Sequence, residues 1–373
     1  MDVWFSNPAQ PENEAVKVSF PIPEDDYERI IGQLGEIGIG DAAAQDCKVD
    51  KIDNPVYWCL TSLVGQQVNV DELDYLTKRL ENLESEYNYP AMAEKLGLKD
   101  IRDFINLTLI ADDTTIIRRF DDMGVWEKEG KTHFMTVNGG CTREQLRKLD
   151  GIDIITNLIA TGTGTVTQCG VIFDNGHELP DIYRGGPFPE HHERPDVLYG
   201  RIAQEPYPDL MENPTVLYFP MSDLRLERAM KRGGLKHGRG LTLVLDNDDC
   251  PPQVLDAMGD RWTIDADSPA LRDINAMCAA IQPLTDAQKR KLDVVIDMAK
   301  PVDMNQIRRL AENLDQFVVH PHVSAEERID CICEKSLAEL MGPPGPQEPP
   351  REAVELARDC GTEKPQTAKT TAR

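Results

Sequence analysis

The segment FPIPEDDYERI at Phe20–Ile30 recurs in altered form as FPMSDLRLERA at Phe219–Ala229. Phe, Pro, Glu and Arg stand at matching positions in the two copies, which are 199 residues apart. Each Phe-Pro ends a stretch of alternating apolar and polar residues, which is typical of a strand with one buried face. Pro favours the edge of a sheet because it has no backbone N–H to donate. Acidic or hydroxyl residues then favour a helix start. The chain is therefore constrained to build the same strand-helix unit twice.

Two further pairs of segments follow in the same order. VDELDYLTKRLENL and LRDINAMCAAIQPL both carry apolar residues three and four apart, the pattern of one helix face, at an offset of 201. KDIRDFINL and VDMNQIRRL agree in the same way at an offset of 203. The offsets rise steadily, as small insertions between two copies of one domain would make them. We therefore predict an α+β chain of small mixed modules, elongated, with a duplicated strand-helix-helix domain. The predicted core positions are Leu73, Leu76, Leu80, Leu83, Ile101, Phe104 and Leu107, matched by Ile274, Met277, Ile281, Leu284, Met304, Ile307 and Leu310.

The segment between the two copies has a different pattern. HFMTVNGG and GTVTQCGVIFDNGHEL predict strands with glycine turns, and Asn175-Gly176 predicts a hairpin. CTREQLRKLDGIDIITNLIATG predicts one or two helices, the first capped by Thr142. We expect a third small α/β module here and a flexible tail rich in Pro and Thr at the end of the chain. The predicted division is 1–114, 115–212, 213–340 and 341–373.

Acidic residues dominate the composition. The chain has 65 acidic and 40 basic residues, for a net charge of −25. Residues 1–100 alone hold 20 acids and 8 bases. Such a chain repels nucleic acid and anionic membranes and is attracted to basic surfaces. Direct nucleic-acid binding and membrane association are therefore not expected. The start of the chain lacks the pattern of a signal peptide, and nine scattered cysteines suggest a reducing cytoplasm.

Few residues suggest chemistry. His320, His322, Cys331 and Cys333 form a candidate zinc set, but neither His-x-His nor Cys-x-Cys is a usual structural-zinc spacing. The alternative is a strand with surface histidines followed by partly buried cysteines. No catalytic motif stands out, and we expect no enzyme activity, metal or cofactor. An enzyme would need polar residues to converge in the middle module, with candidates at Asn138, Asp174, His177 and Arg184.

The run ELDYLTKRLENL, followed by DIRDFINLT, stands behind a strand ending in FPI and an acidic linker. This combination resembles the ArdA antirestriction proteins of bacterial mobile elements. The matching residues are Leu73, Asp74, Tyr75 and Leu76, with Ile105–Thr108. The likeness covers about 100 residues of the first copy and about 110 of the second, and it leaves out the middle segment. The second copy keeps the apolar pattern without the Asn-Leu-Thr motif, and the whole chain is about twice as long as a compact ArdA protein.

The resemblance implies an elongated acidic homodimer that mimics B-form DNA and blocks a type I restriction–modification complex. Duplex DNA carries about one negative charge per 1.7 Å of axis. Carboxylates three or four residues apart on a helix lie about 5–6 Å apart, a phosphate-like interval. The predicted acidic rows are Asp71, Glu72, Asp74, Glu81, Glu84 and Glu86, and in the second copy Asp246, Asp248, Asp249, Asp265 and Asp267.

The length of the chain and the charge of the second copy leave an alternative open. The second copy contains a basic run whose members are Arg225, Arg228, Lys231, Arg232, Lys236 and Arg239. A patch of this kind would interrupt a uniform DNA mimic, unless it pairs with acidic surface in a dimer. The alternative is a non-catalytic scaffold of a mobile element, which binds a protein partner through apolar or mixed surface.

Overall fold

The fold is taken from a computed structural model of the chain. It describes residues 1–84, 86–192, 196–204, 213–235, 240–264, 269–319, 329–331 and 337–344. The chain divides into two compact units. Unit 1 contains residues 1–193 and 227–234, and unit 2 contains residues 194–226 and 235–373. Helices and antiparallel sheets occur together, which confirms the predicted α+β class. Among the described helices, none is both long and apolar enough to cross a membrane.

Unit 1 is built on a four-stranded antiparallel sheet in the order β2-β1-β3-β4. A second, three-stranded sheet has the order β5-β7-β6. The elements are β1 (Asp2–Ser6), β2 (Val16–Ser19), α1 (Tyr27–Glu36), β3 (Cys47–Asp53), β4 (Gln67–Val68), α2 (Val70–Glu81), α3 (Asn88–Leu96), α4 (Ile101–Leu107), β5 (Thr115–Ile117), α5 (Met123–Asn138), α6 (Arg143–Lys148), α7 (Gly151–Thr161), β6 (Thr165–Thr167) and β7 (Gly170–Phe173).

Unit 2 also contains a four-stranded antiparallel sheet, in the order β11-β10-β8-β9. Its elements, together with α8, which passes from unit 2 into unit 1 after Leu226, are β8 (Leu198–Ala203), β9 (Thr215–Phe219), α8 (Asp223–Arg232), β10 (Leu241–Asn247), α9 (Pro252–Met258), β11 (Arg261–Ile264), α10 (Pro269–Ile281), α11 (Asp286–Ala299), α12 (Met304–Glu312), β12 (Phe317–Val319), β13 (Ile329–Cys331) and α13 (Leu337–Met341).

The two four-stranded sheets have the same topology. In chain order, two strands, a helix and two more strands precede three helices in each case, with α9 as an addition in the second. The strand that ends in Phe-Pro lies at the sheet edge both times, as predicted, and Phe20–Pro21 and Phe219–Pro220 are both cis peptides. The sequence reasoning missed β1 and β8, the strands that hold these edges in place. That the second copy arose by duplication of the first stays a prediction.

The predicted core positions of the helices are largely confirmed. In α2 and α10 the stripe residues Leu73, Leu76, Ile274 and Met277 are fully buried. The stripes of α4 and α12 are buried in the same way. The last residue of each long stripe, Leu83 and Leu284, is only half-buried because it lies beyond the helix end. Burial of these leucines and isoleucines stabilises each fold by roughly 1.5–3 kcal/mol per side chain.

The predicted domain boundaries need two corrections. The predicted limit at 212 cuts through the second sheet, because β8 pairs with β9 on one side and β10 on the other. Residues 115–192 form no separate third module but belong to unit 1, where the β5-β7-β6 sheet lies against α3. The predicted tail lies outside the described residues from 345 onward.

Two local predictions in the middle segment are wrong. HFMTVNGG is the end of α5 rather than a strand, because Asp122 caps the helix start and Gly139, at φ 65°, ends it. The hairpin turn lies at Gln168-Cys169, between β6 and β7, rather than at Asn175-Gly176, where the chain turns but no strand follows. The predicted helix start at Thr142 is confirmed, since its hydroxyl accepts from the N–H of Gln145 at 3.2 Å in a capping box.

The crossing of α5 and α7 depends on two glycines. A Cβ at Gly130 would lie 2.0 Å from the carbonyl oxygen of Gly151. We expect Gly130→Ala to lower the free energy of unfolding by about 1–3 kcal/mol, because the helices must move apart. Gly32→Ala in α1, where a Cβ meets nothing within 4 Å, is the matched control. It should raise stability by up to about 1 kcal/mol through helix propensity. Urea unfolding measures both, and equal effects would contradict the close crossing.

Candidate functional site

The first three residues of the predicted acidic row are buried. Asp71, Glu72 and Asp74 are 8%, 0% and 4% exposed, so they cannot present charge to a partner. The prediction placed them on the outer faces of α2, whereas the first turn of this helix is enclosed. Asn69 caps the turn, accepting from the N–H groups of Asp71 at 2.9 Å and Glu72 at 3.2 Å. Buried carboxylates require charged or hydrogen-bonding partners, and these partners define the site.

Asp71 is held by a tyrosine and an arginine. Tyr27 in α1 donates its hydroxyl to Asp71 Oδ1 at 2.6 Å. Arg228 in α8 donates to Asp71 Oδ2 from Nε at 3.0 Å and from Nη2 at 2.8 Å. Burial opposes the charge of Arg228, but the neighbouring carboxylate outweighs it, and the pKa of Arg228 is raised. Arg228 therefore stays charged inside the protein.

Glu72 accepts hydrogen bonds from three side chains. Arg102 Nε and the Tyr183 hydroxyl donate to Oε1 at 3.1 and 3.0 Å, and Gln45 Nε2 donates to Oε2 at 3.0 Å. Arg232 lies 3.8 Å from Oε1 and donates to the Tyr183 hydroxyl at 2.9 Å. Burial raises the pKa of Tyr183, so its hydroxyl stays protonated and able to donate. Glu72, itself fully buried, is the centre of this polar network.

The loop between α1 and β3 supplies backbone acceptors to the same arginines. Arg228 donates to the carbonyls of Gly40 at 2.8 Å and Asp41 at 3.4 Å, and Arg232 donates to the carbonyl of Ala42. Guanidinium groups suit this arrangement because one planar fork carries several N–H donors. Two of the six members of the predicted basic patch, Arg228 and Arg232, are thus buried inside unit 1.

Lys231 completes the contacts of this loop at the surface. It forms an ion pair with Asp41, and this hydrogen bond, helped by the N–H of Ala43, lowers the pKa of Asp41 to about 2. Asp46 closes the loop from inside by accepting from the N–H groups of Gly40 and Asp41 at 3.1 and 3.0 Å. Lys236 and Arg239, the last members of the basic run, lie outside the described residues.

The INLT motif has a structural role in this fold. Asn106 exchanges two hydrogen bonds with the backbone of Tyr183, at 2.9 and 2.8 Å. Thr108 accepts from Arg79 Nε at 3.2 Å. Phe188 stacks on Tyr75 with centroids 4.4 Å apart, so the segment around residues 183–188 is held against α2 and α4. The motif positions that carry the family resemblance therefore stabilise unit 1.

Asp74 has a counterpart in unit 2. Its Oδ1 accepts from the N–H of Ile22 at 2.7 Å, and Asn275 Oδ1 accepts from the N–H of Met221 at 2.8 Å. These offsets of 199 and 201 are those of the sequence repeat. In both units, then, the helix with the apolar stripe also carries a polar side chain that accepts a hydrogen bond from the backbone N–H of the residue after cis-Pro.

Replacing Asp74 tests this contact. We expect Asp74→Ala to cost about 1–3 kcal/mol of unfolding free energy, because it leaves a buried N–H without an acceptor. Asp74→Asn keeps an oxygen there, as Asn275 does, and loses the ion pair to Lys78 at 3.3 Å, so it should cost less. Urea unfolding of both variants gives the order, and an equal loss would show that the charge matters rather than the hydrogen bond.

The rest of the first row is exposed and belongs to a larger acidic surface. Glu81, Glu84 and Glu86 are exposed, as predicted for that surface. The described residues among 1–114 include thirteen exposed acidic side chains and four exposed basic ones. The acidic ones are Glu12, Glu14, Glu24, Asp25, Glu28, Glu36, Asp50, Glu81, Glu84, Glu86, Asp100, Asp112 and Asp113. The sequence reasoning missed the members in α1, although the acidic start of that helix was visible.

The second predicted row is largely compensated by neighbouring groups. Asp246 pairs with Arg201 at 2.6 Å, and Asp249 pairs with Lys289. Asp248 accepts from the N–H of Asp196 at 2.9 Å. The two ion pairs therefore leave little unbalanced charge on Asp246 and Asp249. Asp265 and Asp267 lie outside the described residues.

The structure describes little of the candidate zinc set. His320, His322 and Cys333 lie outside the described residues, and only the backbone of Cys331 is described, in β13.

The polar residues considered for an enzyme are engaged separately. Asn138 donates to the carbonyl of Phe134 at 2.8 Å, Asp174 pairs with Lys95, and Arg184 pairs with Asp181 at 2.9 Å. Asn138, Asp174 and Arg184 thus contact three different neighbours, while His177 lies beside Asp174 and donates its backbone N–H to the Asp174 carbonyl at 2.9 Å.

Comparisons with known proteins identify no relative. The chain matches no family model, no curated protein and no solved structure.

Proposed function

We propose that this protein is a non-catalytic inhibitor of the antirestriction type, which binds a DNA-binding protein through the acidic surface of residues 1–114. The target class is a type I restriction–modification complex in the cytoplasm. One observation carries the proposal: among the described residues of this part of unit 1, thirteen acidic side chains are exposed but only four basic ones. A basic DNA-binding groove attracts such a surface as it attracts phosphates.

The exposed acidic surface that supports the proposal does not coincide with the predicted acidic row. In α1, Glu28 and Glu36 are eight residues apart, a rise of about 12 Å, and Glu24 lies in the short 3-10 helix that precedes α1. Glu81, Glu84 and Glu86 extend the charge beyond α2. The buried acids take no part in it, because Arg228, Arg232 and Arg102 already neutralise them.

A competition titration tests the proposal. The purified protein is titrated against a type I restriction–modification complex, with duplex DNA as competitor, at low and at high salt. Mutual exclusion with DNA that weakens steeply with salt is the expected result. Binding that ignores both DNA and salt would reject mimicry in favour of the scaffold alternative, and no binding would reject this target class.

A further inference from the structure

We propose that residues 227–234 act as an arginine clip, whose docking closes the loop of residues 39–46 and the segment 183–188 around α2. Unit 1 then has a docked state, seen here, and an undocked state in which these two segments open while the four-stranded sheet persists. The device goes beyond the proposed function, since it concerns how unit 1 is closed rather than what its surface binds.

The clip is distant in sequence from the rest of unit 1. Unit 1 consists of residues 1–193 and one short additional segment, and that segment supplies both basic partners of Asp71, which are Arg228 and Arg232. Glu72 has a partner within residues 1–193, Arg102, but its contact with Arg232 and that of Tyr183 also depend on the segment. Asp71 is therefore compensated only when this distant piece of chain is in place, whereas Glu72 keeps Arg102 without it.

The clip has one buried face and one exposed face. Arg228 and Arg232 are four residues apart, so they project from the same face of α8. Both side chains are nearly fully buried, at 9% and 3% exposure, while Lys231 beside them is 56% exposed. One helix face thus inserts two guanidinium groups together, and the rest of the segment stays at the surface.

The guanidinium groups of the clip contact both the loop 39–46 and the segment 183–188. Residues 39–46 have no helix or strand, and the carbonyls of Gly40, Asp41 and Ala42 accept from the clip. Arg232 also contacts the opposite segment, through the Tyr183 hydroxyl and the Phe188 ring at 4.4 Å. Asn69 also holds the loop, by donating to the carbonyls of Asp41 and Ala44 at 2.7 and 2.8 Å, and Asn106 holds the segment. Neither has an internal ladder, and the two arginines are the contacts they share, so removing the arginines should increase local opening in both.

Amide hydrogen exchange of the full chain tests the clip. The variants are Arg228→Lys with Arg232→Lys, which keeps the charge but removes the fork, and Arg228→Met with Arg232→Met, which removes both. Arg29→Lys, at an exposed arginine of α1 paired with Asp26, is the matched control. Each variant is compared with the parent protein, peptide by peptide.

We expect exchange in residues 39–46, 183–188 and 227–234 to accelerate together by at least about tenfold in both clip variants, with β1 and β3 still protected. The control should match the parent. Unchanged protection of the loop in the Lys variant would overturn the clip. Uniform loss of protection across unit 1 in that variant would also overturn it, because the arginines would then belong to the global core. If the Met variant does not fold, the Lys variant decides alone.

Discussion

Glu72→Ala is expected to lower the free energy of unfolding of unit 1 by about 3–5 kcal/mol, the usual cost of removing one partner from a buried ion pair. Glu72 is fully buried and accepts from Arg102, Tyr183 and Gln45. Alanine at this position leaves these donors without their acceptor and leaves positive charge uncompensated inside the protein.

Glu81→Ala is the matched control for this loss. Glu81 lies in the same helix but is exposed, so its replacement should change stability by less than about 0.5 kcal/mol. Urea unfolding followed by tryptophan fluorescence reports mainly on unit 1, because Trp4, Trp58 and Trp126 lie there. Equal midpoints for the two variants would contradict the role of Glu72 as the centre of the network.

A double-mutant cycle separates the ion pair from the packing. Arg232→Met and Glu72→Gln should each destabilise unit 1, and the double variant should lose less than the sum. The reason is that each single change leaves the other charge buried, whereas the double change removes both. Additive losses would mean that the two residues stabilise unit 1 independently.

Neutralising six exposed carboxylates together is expected to abolish binding to the restriction–modification complex. The set is Asp25, Glu28, Glu36, Glu81, Glu84 and Glu86, changed to Asn or Gln. Exposed ion pairs contribute about 0.2–1 kcal/mol each, so one substitution should have little effect, while six remove about 1–6 kcal/mol. The loss is measured by the same competition titration, and the salt dependence of any remaining binding should flatten.

The control carries the same charge change elsewhere in unit 1. It neutralises six exposed acids of the middle segment, Asp121, Glu144, Asp153, Glu178, Asp181 and Glu190. We expect this variant to bind like the parent protein, because the first 114 residues keep their acidic surface. Equal losses in the two variants would show that net charge alone governs binding, and would reject a defined acidic surface.

The helices with regular apolar spacing were predictable from the sequence. Leu73, Leu76, Ile274 and Met277 are buried because residues three and four apart share one face of any helix, whatever surrounds it. The edge strands were predictable for a similarly local reason, since a terminal Phe-Pro limits further pairing. The helix start at Thr142 follows from its own side chain.

The tertiary structure alone decided which charges are inside. Asp71 and Glu81 are both acids of α2, and no local pattern separates the buried one from the exposed one. What separates them is Arg228, which is 157 residues from Asp71 in the chain and reaches it only in the fold. The net charge and the α+β class thus follow from the sequence by itself. The placement of the acidic surface depends on long-range ion pairs, because a carboxylate stays buried only where the fold brings it a partner.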